Sequence, residues 1–309
     1  MLRHYVFLPI FLLSFRYVFA VINGIPTTSA KVKSQAVLLI GSAGLEKNRK
    51  IICGGALITT NVVLTAAHCV YSNSSFATSI QVRLNTFNIR RYEPAEIRLL
   101  SRAIEIFPNY REDEDASEDL AIVYLPRPIT EACSLKDGPE IARLPPSPYT
   151  VPLHANPMLS YLMTPLSDFE METGFCFVHG WGLNGNSQTD EPSTALLRLS
   201  IRTLYGKKVL VGEPLSPLTK LCMGDSGSPV YCLVRGQNFL VGIVSELSTW
   251  MPDTKADVDQ TTDERARCMM YDFVVIVDLR HKVSGIQTIF NQRGLTQQLK
   301  HGQQQCSYL

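Results

Sequence analysis

Apolar residues fall along the chain in short runs. Ala36 to Ile40, Ala56 to Ile58, Val62 to Thr65, Ile80 to Leu84, Leu120 to Leu125, Phe175 to Val178, Leu196 to Ile201, Pro229 to Leu233, Phe239 to Val244 and Phe273 to Val277 are rich in β-branched or aromatic side chains and bounded by turn residues. Such runs predict strands, because branched and aromatic side chains fit a pleated, half-buried surface. Their recurrence predicts an all-β protein. One late segment differs: Val283, Ile286, Ile289 and Phe290 recur at helical spacing, which predicts a single amphipathic helix near the carboxyl end. The proline-rich stretch 144–172 reads as a linker between two halves, about 21–143 and 173–292, followed by a tail over 293–309. Thr249 to Arg267 reads as a long polar loop, and no internal repeat is visible.

The first twenty residues stand apart. Arg3 precedes an apolar run from Tyr5 to Phe15, and Val18-Phe19-Ala20 offers small residues where a signal peptidase reads, the pattern of a secretory signal. A membrane anchor is the competing reading, but the run is short of the roughly 20 residues a bilayer span needs, and Arg16 interrupts its extension. Secretion and no membrane partner are therefore expected of a domain over 21–309.

Composition supports one ordinary globular core, with 45% hydrophobic and 18% charged residues. With 29 basic against 28 acidic side chains the net charge is +1, so nothing in the total charge points to nucleic acid. Eight cysteines in an exported chain favour disulfides. A zinc site is not supported, because no two cysteines lie two to four residues apart. Asn73-Ser74-Ser75 is a glycosylation sequon in a polar stretch.

Three patches carry chemistry. Gly224-Asp225-Ser226-Gly227-Ser228-Pro229 sets a serine between glycines, where the backbone can turn sharply and offer amides to an oxyanion. Thr65-Ala66-Ala67-His68-Cys69 puts a histidine at the end of an apolar run, and Asp119-Leu120-Ala121 puts a carboxylate at the mouth of a strand. Singly these could be a turn, a core histidine and a strand-end cap. Together they match what a serine nucleophile needs: a base, and a third group that fixes the base's tautomer. Glu112, Asp113, Glu114, Asp115 and Glu118 just before Asp119 read as a solvated acidic loop.

With these residues the chain resembles the chymotrypsin and trypsin family of serine proteases. The match is carried by Val21-Ile22-Asn23-Gly24, Cys53 to Ile58, Leu64 to Cys69, Asp119-Leu120-Ala121, Gly180-Trp181-Gly182, Cys222 to Pro229 and Val241 to Ser245, in the family's order. The resemblance implies two six-stranded antiparallel β-barrels with the site between them and a C-terminal α-helix. It implies a secreted serine endopeptidase with Ser226 as nucleophile, His68 as general base and Asp119 as its orienting partner. The amides of Gly224 and Ser226 would form the oxyanion hole, and Ser245 would support Asp119 and pair with substrate backbone. Val21, freed as a new amino terminus by cleavage after Ala20, would pair with Asp225. Disulfides would join Cys53 to Cys69, Cys176 to Cys232 and Cys222 to Cys268, leaving Cys133 and Cys306 to each other. No cofactor or metal is implied. The expected partners are protein or peptide substrates and protein protease inhibitors, and the expected state is a monomer.

The chain departs from the family at the substrate pocket. Ser228 replaces a glycine, Glu246 and Leu247 replace a tryptophan and a glycine, and the glycine of the opposite wall is replaced by Asp272 or Phe273. The resemblance places Lys220 at the pocket floor, which argues against trypsin-like specificity. Two arrangements follow: Lys220 selects acidic side chains, or Glu246 or Asp272 neutralises it and fills the pocket. The alternative to an active enzyme is a weak or inactive homologue that acts as a binding protein behind an obstructed pocket.

Overall fold

A computed structural model of the chain describes residues 21–29, 32–41, 51–101, 103–112, 115–132, 138–147, 157–183, 191–204, 206–250 and 262–297. The signal segment, Cys133, Cys306, Asp113 and Glu114 lie outside the described residues.

Among the described residues sixteen strands follow in chain order. They are β1 (Ile25–Pro26), β2 (Gln35–Gly41), β3 (Ile51–Thr59), β4 (Val62–Thr65), β5 (Tyr71–Ser72), β6 (Ser75–Phe76), β7 (Ser79–Leu84) and β8 (Ile97–Ser101). They continue as β9 (Ala103–Ile106), β10 (Ala121–Tyr124), β11 (Phe175–Gly180), β12 (Ser193–Leu204), β13 (Lys207–Pro214), β14 (Pro229–Val234), β15 (Gln237–Ser248) and β16 (Phe273–Asp278). Each predicted run lies within a strand, except Leu120 to Leu125, which overruns β10 by one residue at each end. The pattern missed the two-residue strands β1, β5 and β6, and also β8, β9 and β13, where Arg98, Glu105 and the Lys207-Lys208 pair break the apolar runs.

Apart from the β5–β6 hairpin, the strands of the described residues form two antiparallel sheets. The second closes as a six-stranded barrel, β12-β11-β14-β15-β16-β13, with β13 returning to pair with β12. Closure leaves no open edge of unpaired amides in that ring. The first is a half-barrel in the order β8-β7-β2-β3-β4-β10-β9. Its end strands β8 and β9 are neighbours in sequence, separated only by residue 102, so the chain itself joins the two ends.

Two apolar cores fill these sheets. Leu38, Leu57, Leu64, Ile80 and Ile122 anchor the first, and Val178, Leu197, Val230, Val241 and Ile276 the second. The predicted carboxyl-end helix runs Val283–Gln292 and buries Val283, Ile286, Ile289 and Phe290. It follows the second barrel in sequence, yet it packs into the core of the first. The amino-terminal segment is likewise exchanged: Val21 and Ile22 are fully buried, Ile22 bridges Lys220, and β1 pairs with β12 of the second barrel. Residues 21–26 therefore belong structurally with the half opposite to the one assigned by sequence order.

The expected linker is only partly a linker. It contains the helices Pro157–Leu162 and Asp168–Thr173. The second is started by a capping box between Ser167 and Glu170 and buries Met171 in the second core. Arg235 holds the segment by bonding Glu170 and the carbonyls of Tyr161, Thr164 and Pro165. The expected polar loop ends early as well, because Asp263 caps a helix over Glu264–Met270 that carries Cys268. Helices of one or two turns are too short for periodicity to reveal.

Candidate active site

Strand register brings the base and its partner together. Strands β4 and β10 pair with Thr65 opposite Ala121, so the chain leaving β4 and the chain entering β10 meet at the same end of the sheet. His68 lies on the short helix Ala67–Val70, tied to β3 by the Cys53–Cys69 disulfide. Asp119 caps the carboxyl end of a 3-10 turn over Ala116–Glu118. Its Oδ1 accepts the His68 backbone N–H at 2.9 Å, and its Oδ2 lies 2.6 Å from His68 Nδ1. Ser245 Oγ, from β15 of the other barrel, donates to the same Oδ2 at 2.6 Å.

This geometry fixes charge and tautomer. Burial opposes ionisation of Asp119, but the His68 charge and the bonds from His68 and Ser245 outweigh it and hold the carboxyl below its usual range. Burial likewise opposes the His68 imidazolium, but Asp119, with a further contribution from Glu246, raises the imidazole above its ordinary value. With Nδ1 engaged by Asp119, Nε2 is the nitrogen left to exchange a proton in the cleft.

The serine turn is built from the second barrel. Asp225 N–H donates to Cys222 O at 3.0 Å, Ser228 N–H to Asp225 O at 3.1 Å and Gly227 N–H to Val244 O at 2.8 Å. Gly227 has φ +75°, and a Cβ there would sit 2.5 Å from Gly54 O; only glycine fits. Gly54 N–H donates to Ser226 O at 2.8 Å and joins the turn to the first barrel. Among the described residues, the N–H groups of Gly224 and Ser226 have no acceptor, as donors awaiting an oxyanion require. His68, Asp119, Ser226, Ser245, Glu246 and Leu247 line one cleft of about 660 Å³ between the barrels.

Other expected residues are placed differently. Val21 is buried, but its N–H donates to Ser193 Oγ at 2.6 Å. The Asp225 carboxylate instead accepts the N–H groups of Gly182 at 2.8 Å and Cys222 at 2.9 Å. Complete burial pushes it up to about 6. The activation pair of Val21 and Asp225 is thus not formed with Val21 in peptide linkage.

Lys220 does not line the cleft. Its Nζ donates to the Tyr271 carbonyl at 2.6 Å and borders a separate void of about 10 Å³, with Leu247 lying between void and cleft. Neither Glu246 nor Asp272 pairs with it, and the Asp272 carboxylate accepts the Trp250 N–H. Ser245 and Glu246 fall where the β15–β16 register shifts between Val244 and Leu247, a bulge that turns this stretch toward the cleft.

Among the described residues there are three disulfides, Cys53–Cys69, Cys176–Cys232 and Cys222–Cys268, while Cys133–Cys306 lies outside them. Asn73 and Ser74 form the tip of the β5–β6 hairpin with φ 50° and 57°, exposed to solvent. The acidic stretch is not simply solvated. Glu112 accepts the Asn73 and Ser74 N–H groups, Asp115 pairs with Lys207, and Glu118 pairs with Lys282. Asp115, Lys207 and Arg111 line the cleft, and sequence analysis gave them no role. Lys207 lies 92 positions from Asp115, so no local signal could have paired them.

The chain is similar to several known proteins. Rat vitamin K-dependent protein C is 28% identical over 240 residues, covering 73% of this chain and 45% of that protein. The chain therefore spans less than half the length of that relative. Rat chymotrypsin-like elastase family member 1 is 29% identical, covering 64% of this chain and 68% of its own length. A chymotrypsin from Phaedon cochleariae is 28% identical, covering 76% and 75% respectively. A solved structure of HL collagenase superposes with TM-score 0.61 at 23% identity, over 88% of this chain and 99% of its own, a likeness of fold alone. The family model for Trypsin matches residues 21–257, most of the chain, and the protein belongs to that family.

Proposed function

We infer that the protein is a secreted serine endopeptidase, monomeric, acting on protein or peptide substrates and open to protein inhibitors. The observation that carries this is the convergence of His68 and Ser245 on one carboxylate oxygen of Asp119 in the cleft that Ser226 lines. In the reaction Ser226 Oγ attacks the scissile carbonyl carbon while His68 Nε2 takes the hydroxyl proton. The carbonyl π electrons move onto oxygen, which the Gly224 and Ser226 amides stabilise. Collapse expels the amine, which receives the proton from His68, and leaves an acyl-enzyme. A water deprotonated by His68 then releases the acid and restores Ser226. Asp119 and Ser245 keep the imidazole oriented throughout.

Activation follows from the buried, cation-free carboxylate of Asp225. A new amino terminus at Val21 would supply the missing ammonium, and a buried charge gains most from a partner of opposite sign. Sequencing the secreted protein tests this: an active species starting before Val21 contradicts it. Occupancy of Asn73 is tested by glycosidase treatment of the same material.

Specificity is set by the wall at Leu247. Lys220 is held behind that wall by Tyr271 and is not among the residues lining the cleft, so its ammonium does not select acidic side chains, and the apolar Leu247 wall favours small apolar residues before the cut. Glu246 and Leu247, the large side chains on the cleft wall, are the ground for the second reading, a binding protein with a competent nucleophile and a narrowed substrate pocket. A serine-reactive phosphonate together with cleavage-site profiling on a complex peptide mixture decides. Labelling of Ser226 with turnover supports the endopeptidase, and labelling without turnover supports the binding protein. Lys220→Asp should leave the profile unchanged, and a swing toward basic side chains would place Lys220 on the substrate path.

A further inference from the structure

The turn that delivers Asp119 is held at its start by the second barrel and at its end by Lys282, where the chain leaving that barrel enters the helix packed in the first core. At its start Asp115 Oδ2 meets Lys207 Nζ of β13 at 2.8 Å. The same carboxylate caps the turn by accepting the Ser117 N–H at 3.0 Å. At its end Glu118 Oε1 meets Lys282 Nζ, at the amino end of the last helix, at 2.6 Å. Both members of the second pair are more than three-quarters buried, with side chains 15% and 22% exposed. Between the two pairs Ala116 packs against Val209, Val211, Phe273 and Val275 of the second barrel. Asp119 follows directly and donates its own N–H to Ala116 O.

The site is divided between barrels, since His68 and Asp119 come from one and Ser226 and Ser245 from the other. Alignment across that seam therefore decides whether the bonds to the shared Asp119 oxygen form together. A turn anchored only to its own barrel could slide along the seam, and a displacement of about 1 Å at a catalytic group is enough to cost orders of magnitude in rate. We propose that the bridges Asp115–Lys207 and Glu118–Lys282 clamp this turn between the second barrel and the start of the last helix, so that Lys207 and Lys282 are positioning residues that set Asp119 against His68. This rests on His68 and Asp119 being the base and its orienter. Simple Coulomb influence is the competing explanation. The charged groups around His68 are Asp119 and Glu246, with Asp115, Lys207 and Arg111 along the cleft.

The sign of the response separates the two. By charge alone, Glu118→Gln removes a negative charge and lowers the His68 pKa, whereas Lys282→Met removes a positive charge and raises it. If the bridge positions Asp119, both substitutions loosen the Asp119–His68 bond and both lower the pKa. The measurement is the His68 titration by NMR in the whole protein, together with the low-field resonance of the Nδ1 proton. The expected result is a downward shift of about half a pH unit in both variants, with loss or broadening of that resonance. Opposite shifts, or no shift in Lys282→Met, overturn the clamp. Should either single variant fail to fold, the reversed pair Glu118→Lys with Lys282→Glu keeps a bridge of opposite polarity and must retain the wild-type titration; displacement of its titration overturns the proposal as well. Phosphonate labelling of Ser226, expected to slow about tenfold in Lys282→Met, reports on the nucleophile. Absence of labelling in the unsubstituted protein would sink the endopeptidase reading, while the His68 titration still tests the clamp.

Discussion

Ser245 Oγ and His68 Nδ1 share one oxygen of Asp119, each at 2.6 Å. Two donors on a single Oδ2 fix the carboxylate plane from both barrels. Removing the hydroxyl should therefore weaken catalysis without touching the triad. Ser245→Ala loses a hydrogen bond to a charged group, a type worth about 1.5–3 kcal/mol. The expected outcome is a ten- to hundredfold fall in kcat with KM little changed. Asp119→Asn should lose about 10⁴ in kcat, because an amide stabilises the wrong imidazole tautomer. Steady-state kinetics on one good peptide checks both.

Glu246 contributes to the raised pKa of His68. Activity requires the neutral imidazole, so kcat/KM should fall as pH drops through a midpoint above the usual histidine value. Glu246→Gln removes a negative charge that favours the imidazolium, and the acid limb should move to lower pH. A pH profile of kcat/KM for the two proteins tests this, and an unmoved limb contradicts the role of Glu246.

The Asp225 carboxyl, with Val21 still in peptide linkage, sits at about 6 in the folded chain, against about 4 when unfolded. Between those values the folded state binds more protons. Stability therefore declines as pH rises through that window, by about 3 kcal/mol in all. The uncleaved chain should melt at a lower temperature at pH 7.5 than at pH 4.5. Asp225→Asn should abolish this part of the difference. A chain starting at Val21 should also lack it, because its ammonium compensates the carboxylate. Thermal melts of the three proteins at the two pH values give the comparison.

Gly54 faces Ser228 so closely that a Cβ would lie 2.3 Å from Ser228 Oγ and 2.6 Å from the Ser228 backbone at its α-carbon. Gly54→Ala should destabilise the protein by about 1–3 kcal/mol through overpacking and displace the Ser226 carbonyl that Gly54 holds. Adding Ser228→Gly relieves the clash with the hydroxyl but not the clash with the backbone, so stability should recover only in part. Denaturant midpoints for the single and double variants measure this.

What the sequence determined by itself is what short stretches of chain can enforce. Branched apolar runs made strands, and Val283, Ile286, Ile289 and Phe290 made a helix face. Gly224 to Gly227 could make little but the turn that presents Ser226. His68 and Asp119 were legible because each sits at the end of an apolar run whose neighbour in the sheet is the other's. The short helices at 157–162, 168–173 and 264–270 escaped because one or two turns show no period, and β13 escaped because lysines open it. Tertiary structure alone decided which residues meet across the barrels. Lys207 found Asp115 and Lys282 found Glu118, residues 21–26 joined the second barrel, and the last helix crossed to the first core. The direction of Lys220 belongs to the same class: its position in the chain suggested a pocket floor, but the Tyr271 carbonyl and the Leu247 wall turned its ammonium away from the cleft. Local backbone chemistry fixes the shape of a turn or strand, whereas the partner of a long charged side chain depends on sheet register and barrel closure, to which residues far apart in the chain contribute together.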